Sequence, residues 1–428
     1  MASSFVVPVV TLTHLREHPN ASLLGLADVL GYQMVIPLVE DPSGSIERKF
    51  LVGRLDARGK KIPVTWEVEK GYYYEENGKK SLVAGYGTPE HGSAEIETVK
   101  FTFRYKEDQP CVYFPADTVL PSEWAEKFGI KQLLKGKDND RVGRIRLRGE
   151  PSFGLVVDIP EGVDWKVGDN VCDYFGAKKF EPPIRATCGD AAPRDPLIDP
   201  FVQKYTDIEN GRIFVDVFQE GEEVVCTEKI HGTNCKIGLV MGQRVAGSME
   251  VRRKKPVAEG EDPNTVVTSG MKSNTYWFPW TLEPVQNLLL VLSKPADGRN
   301  PCVLLYGEVY GGSVQGLDYG IPKGKGLGFV AFDLMVDGEY LDWDDFKAKC
   351  DSFGVETVPV LYRGSFNMAK VKEIADGNTV TAGNHIREGT VVKPIKERVD
   401  PKIGRVVLKY IGTEYALSKH QDKDNKDV

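Results

Sequence analysis

At 428 residues, 41% of them hydrophobic, the chain is long enough for two or three domains with filled cores. Its net charge of −7 weighs against a partner held by charge alone, such as a nucleic-acid backbone, although an acidic total can hide a basic groove. No run nears the roughly eighteen apolar residues of a membrane helix, the start MASSFVVPVVTLTHLREHPN has no basic, long apolar leader, and seven cysteines and six histidines form no zinc-type spacing. These features predict a reduced, cytoplasmic protein without a membrane span.

The first half reads as β-rich. Residues 6–13 (VVPVVTLT), 31–39 (GYQMVIPLV) and 109–121 (QPCVYFPADTVLP) are short apolar runs punctuated by Gly and Pro. Residues 141–160 alternate Val142, Arg144, Arg146 and Arg148 against Ile145 and Leu147. That period predicts a half-buried strand with arginines on its open face. Strands at this spacing predict a small barrel or sandwich. Residues 43–100, rich in Gly, Lys, Glu and Tyr, read as an inserted hairpin region. Residues 180–200 hold five prolines and mark the best domain boundary.

Beyond residue 200 the elements alternate in type. Strands are predicted over 222–230, 234–240, 302–310, 328–336, 389–395 and 404–411. Helices are predicted over 274–294, broken near Pro279, and over 342–354. The end, SKHQDKDNKDV, reads as a charged tail.

Within 226–234 (CTEKIHGTN), Val225 and Lys229 share one face of a strand, and Gly232 then lets a ligand approach the backbone. Alone, KxxG is better read as a surface lysine before a turn. Four later segments change the balance: YGEVYGG with Glu308, GFVAFDL with Phe329, Phe332 and Asp333, EGTVVKP with Glu388 and Lys393, and VVLKY with Lys409. Charges inside apolar strands are costly unless paired or bound. Their recurrence on separate strands predicts one shared polar site.

In this order, EKIHGTN, YGEVYGG, GFVAFDL, EGTVVKP and VVLKY resemble nucleotidyltransferase motifs I, III, IIIa, IV and V of ATP-dependent RNA ligases. They span roughly residues 200 to 415. In the first half, HPNASLLGLADVLGYQMVI, YFPADTVLP, RIRLRGEPSFGLV, VGDNV and KKFEPP resemble the N-terminal OB-type module of Deinococcus-type RNA ligases. The resemblance implies an α+β chain. An OB-like RNA-binding domain over 1–190, with an insertion at about 43–100, precedes a linker at 191–200. An adenylyltransferase domain over 201–415, with an ATP-grasp-like ligase fold of antiparallel sheets and flanking helices, precedes a tail at 416–428. Ile411 stands where another branch has a second lysine, so the motif V role falls to Lys409 alone.

The implied activity joins a 3′-OH to a 5′-phosphate on RNA, a nicked duplex among the candidates, in a monomeric enzyme. Lys229 attacks the α-phosphate of ATP to form lysyl-AMP. The AMP passes to the RNA 5′-phosphate, and the 3′-OH then displaces it. A free lysine titrates near about 10.4, so the nucleophile needs neighbouring positive charge, which Lys393, Lys409 and a metal would supply. Mg²⁺, with Mn²⁺ as substitute, suits Glu308 and Glu388 as carboxylate ligands shared with phosphates. Adenine needs an apolar slot. Phe332 is favoured over Phe329 for stacking, and Glu228, Gly232 and Asn234 flank the nucleotide. Arg252 or Arg253 is the candidate for the arginine after motif I, against an equal reading of VRRKKP as a solvated basic loop. Arg144, Arg146 and Arg148 are the RNA-contact candidates, against a salt-bridged sheet face. His231 and His385 read as hydrogen-bonding residues rather than catalysts. The alternatives are a capping-type guanylyltransferase or DNA ligase, against which the absence of KxDG counts, and a non-catalytic RNA-binding protein, against which the full charged set counts.

Overall fold

In the computed structural model of the chain, residues 5–55, 61–67, 71–76, 79–84, 96–136, 138–180, 202, 204–249, 251–262, 264–294 and 301–418 are described. They fall into two units, one being Phe5–Phe180 and the other holding the described residues from 202 onward. Residues 181–200 of the expected boundary and linker, and 419–428 of the expected tail, lie outside the described residues.

In the first unit the apolar runs pair into antiparallel ladders. Eight strands make one sheet in the order Thr13–Glu17, Leu24–Val29, Tyr32–Glu40, Ile96–Phe103, Ile46–Leu55, Lys61–Glu67, Gly71–Glu76 and Lys79–Ala84. The described strands of the 43–100 stretch are thus antiparallel members of this sheet. Its end strands do not pair with each other among the described residues, so this ladder is an open sheet. A smaller sheet of Val9–Val10, Cys111–Phe114 and Leu155–Val157 carries a core of Val7, Val112, Phe114, Val157 and Phe175. The single strand expected over 141–160 is a hairpin, Arg144–Leu147 against Glu150–Phe153. Arg148 (φ 49°) and Gly149 (φ 92°) form its turn, a backbone geometry that twists the strands into pairing and needs positive φ at both positions.

The second unit holds two five-stranded sheets. The first contains β1 (Glu209–Asn210) and β2 (Glu223–Glu228); β3 (Thr233–Val240), β4 (Gln243–Ser248), β5 (Val303–Tyr310), β6 (Gly328–Val336) and β7 (Glu339–Tyr340) make up the second; β8 (Val360–Ser365) and β9 (Gly389–Pro394) return to the first. A short pair, β10 (Val399–Asp400) and β11 (Gly404–Arg405), precedes β12 (Leu408–Ile411). The strand orders are β1-β12-β9-β2-β8 and β4-β3-β5-β6-β7, antiparallel except for β1 beside β12. β2 is a continuous apolar run because both its faces are covered. Val224 and Cys226 enter one core cluster and Val225 another.

Helices flank these sheets. The run expected as one broken helix is a 3-10 turn at Phe278–Thr281 containing Pro279, then α1 (Glu283–Leu292), which Pro284 helps to start. In α2 (Trp343–Phe353), Trp343, Phe346 and Cys350 fall on one buried face. Asp344 and Asp345 favour its N-terminus, and Gly354 at φ 73° ends it. α3 (Met368–Ala375), capped by the Asn367 side chain, covers the Val224 face of the first sheet, and α4 (Thr413–Ala416) follows β12.

Candidate active site

β2 ends at Glu228, but the ladder continues one residue: the Lys229 N–H donates to Gly389 O at 3.0 Å. Register places Val225 opposite Lys393, and Val391 opposite both Thr227 and Lys409. Cross-strand partners share a face. Thr227 and Lys229 of β2, Lys393 of β9 and Lys409 of β12 therefore present to one side of the sheet. Val224, Cys226, Val392 and Leu408 present to the other, against α3. Three lysines read from separate motifs thus share a sheet face.

Glu388, immediately before β9, meets Lys229 Nζ through Oε1 at 2.6 Å and His231 Nδ1 through Oε2 at 3.3 Å. Burial alone would raise its pKa. The Lys229 charge and the His231 hydrogen bond outweigh burial and hold it at about 2. Glu308 of β5 lies nearby with the opposite balance. Burial pushes it up to about 8, aided by the Glu388 charge and opposed by Lys229 and the Gly232 N–H. Asn234 of β3 stands in register with Glu308, and its buried Oδ1 has no hydrogen-bond partner among the described residues. Gly232 is required where it stands. A Cβ there would lie 2.2 Å from Val309 O and 3.0 Å from Glu308 Cγ.

Other expected residues fall elsewhere. Glu228, expected beside the nucleotide, points to the opposite face from Lys229. Its carboxylate accepts from Thr379 Oγ1 at 2.5 Å and Val380 N at 2.9 Å. Lys393, expected to lend charge to Lys229, is instead buried in an ion pair with Asp333 and donates to Phe332 O at 3.1 Å. Arg253 is buried over the Tyr276 ring, whereas Arg252, bridged to Gly247 and half-buried, falls in the row of Lys236 and is the better of the two. Phe332 is the extra residue of a β-bulge in β6, which voids the strict parity count. Phe329 packs on Gly307 in the core, and half-buried Phe332 lies against Tyr205 with ring centroids 5.1 Å apart. Arg144, Arg146 and Arg148 lie in the first unit. Arg144 pairs with Asp117 at 2.9 Å, Arg146 donates to Gly149 O, and Arg148 is a turn residue rather than part of a basic strand face.

Three residues without an expected role matter to this site. Asp333 binds Lys393, Tyr205 and Arg405. Its signal was a lone acid in an apolar strand. The Tyr319 hydroxyl accepts the His231 N–H at 2.7 Å, and the Tyr415 hydroxyl meets His231 Nδ1 at 3.0 Å. Nothing in sequence spacing marks those tyrosines. His231 is the hydrogen-bonding residue it was read to be.

The RNA ligase family model matches residues 222–411, which contain Lys229, Gly232, Glu308, Glu388 and Lys409. The chain carries an RNA ligase region, and with it the enzyme class. Solved structures agree on the fold. A Naegleria gruberi RNA ligase lysine mutant with ATP and Mn is 19% identical, with a TM-score of 0.62 over 98% of this chain and 100% of that one. The N. gruberi RNA ligase with PPi is 20% identical, with a TM-score of 0.61 over 97% and 99%. A mutant form with AMP and Mn is 19% identical, with a TM-score of 0.62 over 97% and 99%. No curated protein matches the chain. Among the described residues, no helix is long and apolar enough to cross a membrane.

Proposed function

We propose that this RNA ligase is ATP-dependent and joins RNA 3′-OH and 5′-phosphate ends through a lysyl-AMP intermediate on Lys229. The observation that carries the reading is the contact of Lys229 Nζ with Glu388, with the carboxyl of Glu308 beside them. A lysine held rigidly by the first sheet faces two carboxylates, and Gly232 opens the backbone beside it. Lys229 Nζ loses a proton to solvent, the neutral amine attacks the α-phosphorus of ATP, the bond to the β-phosphate oxygen breaks, and pyrophosphate leaves. The phosphoramidate then passes AMP to the RNA 5′-phosphate, releasing Lys229.

Two carboxylates with different proton affinities suit a divalent cation, Mg²⁺ or Mn²⁺, that takes its remaining oxygens from water and phosphates. When bound, the cation supplies charge neutralisation at the phosphates. Glu308 and Glu388 are its ligands in this reading. Lys409 faces the phosphates from the same sheet face as Lys229, and Asn234 Oδ1, buried and unsatisfied, offers an acceptor to the nucleoside. Phe332 and Arg252 are the stacking and ribose-phosphate candidates. The first unit is the RNA-holding module, with exposed Arg146 its best contact, and the whole is read as an OB-type ligase resembling the Deinococcus type.

Incubation with α-³²P-ATP and Mg²⁺, followed by a denaturing gel, tests the nucleophile. Wild type is expected to carry label and Lys229→Ala none. A band that survives the substitution puts the AMP on another residue.

A further inference from the structure

We propose that Tyr415, beyond the matched region, is a positioning residue that acts through His231 to fix Glu388 against Lys229. This rests on the lysyl-AMP reading and extends its site to the helix after β12. The geometry is a clamp with two arms from α4. At its start, Gly412 N–H donates to Glu388 O at 3.0 Å and holds the backbone of the carboxylate. One turn on, the Tyr415 hydroxyl meets His231 Nδ1 at 3.0 Å, and the same nitrogen lies 3.3 Å from Glu388 Oε2.

An ionised carboxylate only accepts hydrogen bonds, so Nδ1 must carry the proton that bonds Glu388. The Tyr415 oxygen takes a share of that N–H. It thereby favours the tautomer with the proton on Nδ1 and fixes the ring plane, since each imidazole nitrogen is set by what the other groups offer it. Tyr319 completes the hold by accepting the His231 backbone N–H at 2.7 Å. Tyr415 itself is 3% exposed and packed in the large core, its ring edge-on to His231 at 5.7 Å. A buried phenol whose hydroxyl ends on a histidine beside the nucleophile's carboxylate is placed to orient that carboxylate. Phenylalanine would fill the same core volume, so packing alone does not require the hydroxyl.

Single-turnover labelling of the full chain by α-³²P-ATP separates the two roles, because it yields a rate constant and a final labelled fraction. Tyr415→Phe is expected to lower the rate constant at saturating ATP by about tenfold, the worth of one hydrogen bond. The ATP concentration for half-maximal rate should not move. His231→Gln, which removes the Nδ1 donor and leaves Tyr415 in the core, should slow labelling at least as much and carries the test if Tyr415→Phe does not fold. A rate constant equal to wild type, with or without a smaller labelled fraction, overturns the inference and leaves Tyr415 a packing residue. A wild type that takes no label overturns the lysyl-AMP reading itself, a failure seen before any variant is compared.

Discussion

Gly232 sets how close the turn after Lys229 comes to β5. A methyl group there meets the Val309 carbonyl, a backbone atom inside a sheet that cannot rotate away. The turn must then lift, and Lys229 with it. Gly232→Ala is therefore expected to cost about 1–3 kcal/mol of stability, as overpacking does, and to slow self-labelling by more than tenfold, because small misplacements of a reacting group are costly. Urea unfolding and the labelling rate check the two halves. A variant with wild-type rate and stability would mean that the turn has slack. The residues of this turn were largely legible from sequence. Counting alternation from Val225 placed Lys229 on its face correctly. The same count puts Glu228 with Cys226 on the other face, so its sequence neighbourhood to Lys229 misled while the parity did not. Arg148 failed for a different reason: a two-residue turn with Gly149 looks, in a period-two pattern, like more strand.

Among elements, the tie between the two sheets is ionic as well as apolar. Asp333 of β6 faces Lys393 of β9, Arg405 of β11 and the Tyr205 hydroxyl. Arg405 also pairs with Glu397 at 2.6 Å. Burial raises the Asp333 pKa, but Arg405 and Lys393 outweigh it and hold it at about 2. The folded value is depressed below the unfolded one of about 3.9. The linked stability is therefore whole above about pH 4 and is lost as pH falls toward 2, amounting to about 2 kcal/mol. Asp333→Asn, which leaves buried Lys393 without its carboxylate and Arg405 with Glu397 alone, is expected to cost about 3–5 kcal/mol at pH 7. Its deficit against wild type in urea should shrink below about pH 4. A deficit that stays constant across that range would show that Asp333 titrates alike in the folded and unfolded states. At this scale, strands that are apolar on both faces were legible, as in β2, β5 and β6. α3 was not, because its short apolar stripe lies between polar residues. β8 was missed because an edge strand with half its residues exposed lacks a clean period. The bulge at Phe332 shows only as a pairing, which sequence parity cannot reveal.

The described residues fall into two units, each with its own core, and the proposed reading divides the chemistry between them. All the candidate nucleotide-handling residues lie in the second. Self-adenylylation should then need only that unit, whereas sealing needs an RNA end held while the second and third steps occur. A fragment of residues 201–428 is expected to label with α-³²P-ATP at a rate near that of the full chain. Its sealing of a nicked RNA duplex should fall by about a hundredfold or more, the effective-concentration advantage lost when two linked binding modules become one. Rising salt should weaken sealing by the full chain more steeply than by the fragment, since fewer phosphate contacts remain to be screened in the fragment. Adding the first unit as a separate chain should restore little at micromolar concentrations, because linkage rather than a missing catalytic group is what the fragment lacks. If the fragment seals as well as the full chain, the RNA-holding assignment of the first unit falls while the lysyl-AMP assignment stands. If the fragment folds but takes no label, the nucleotide site draws on the first unit, and the division of labour between the two is not the one their sequences suggest.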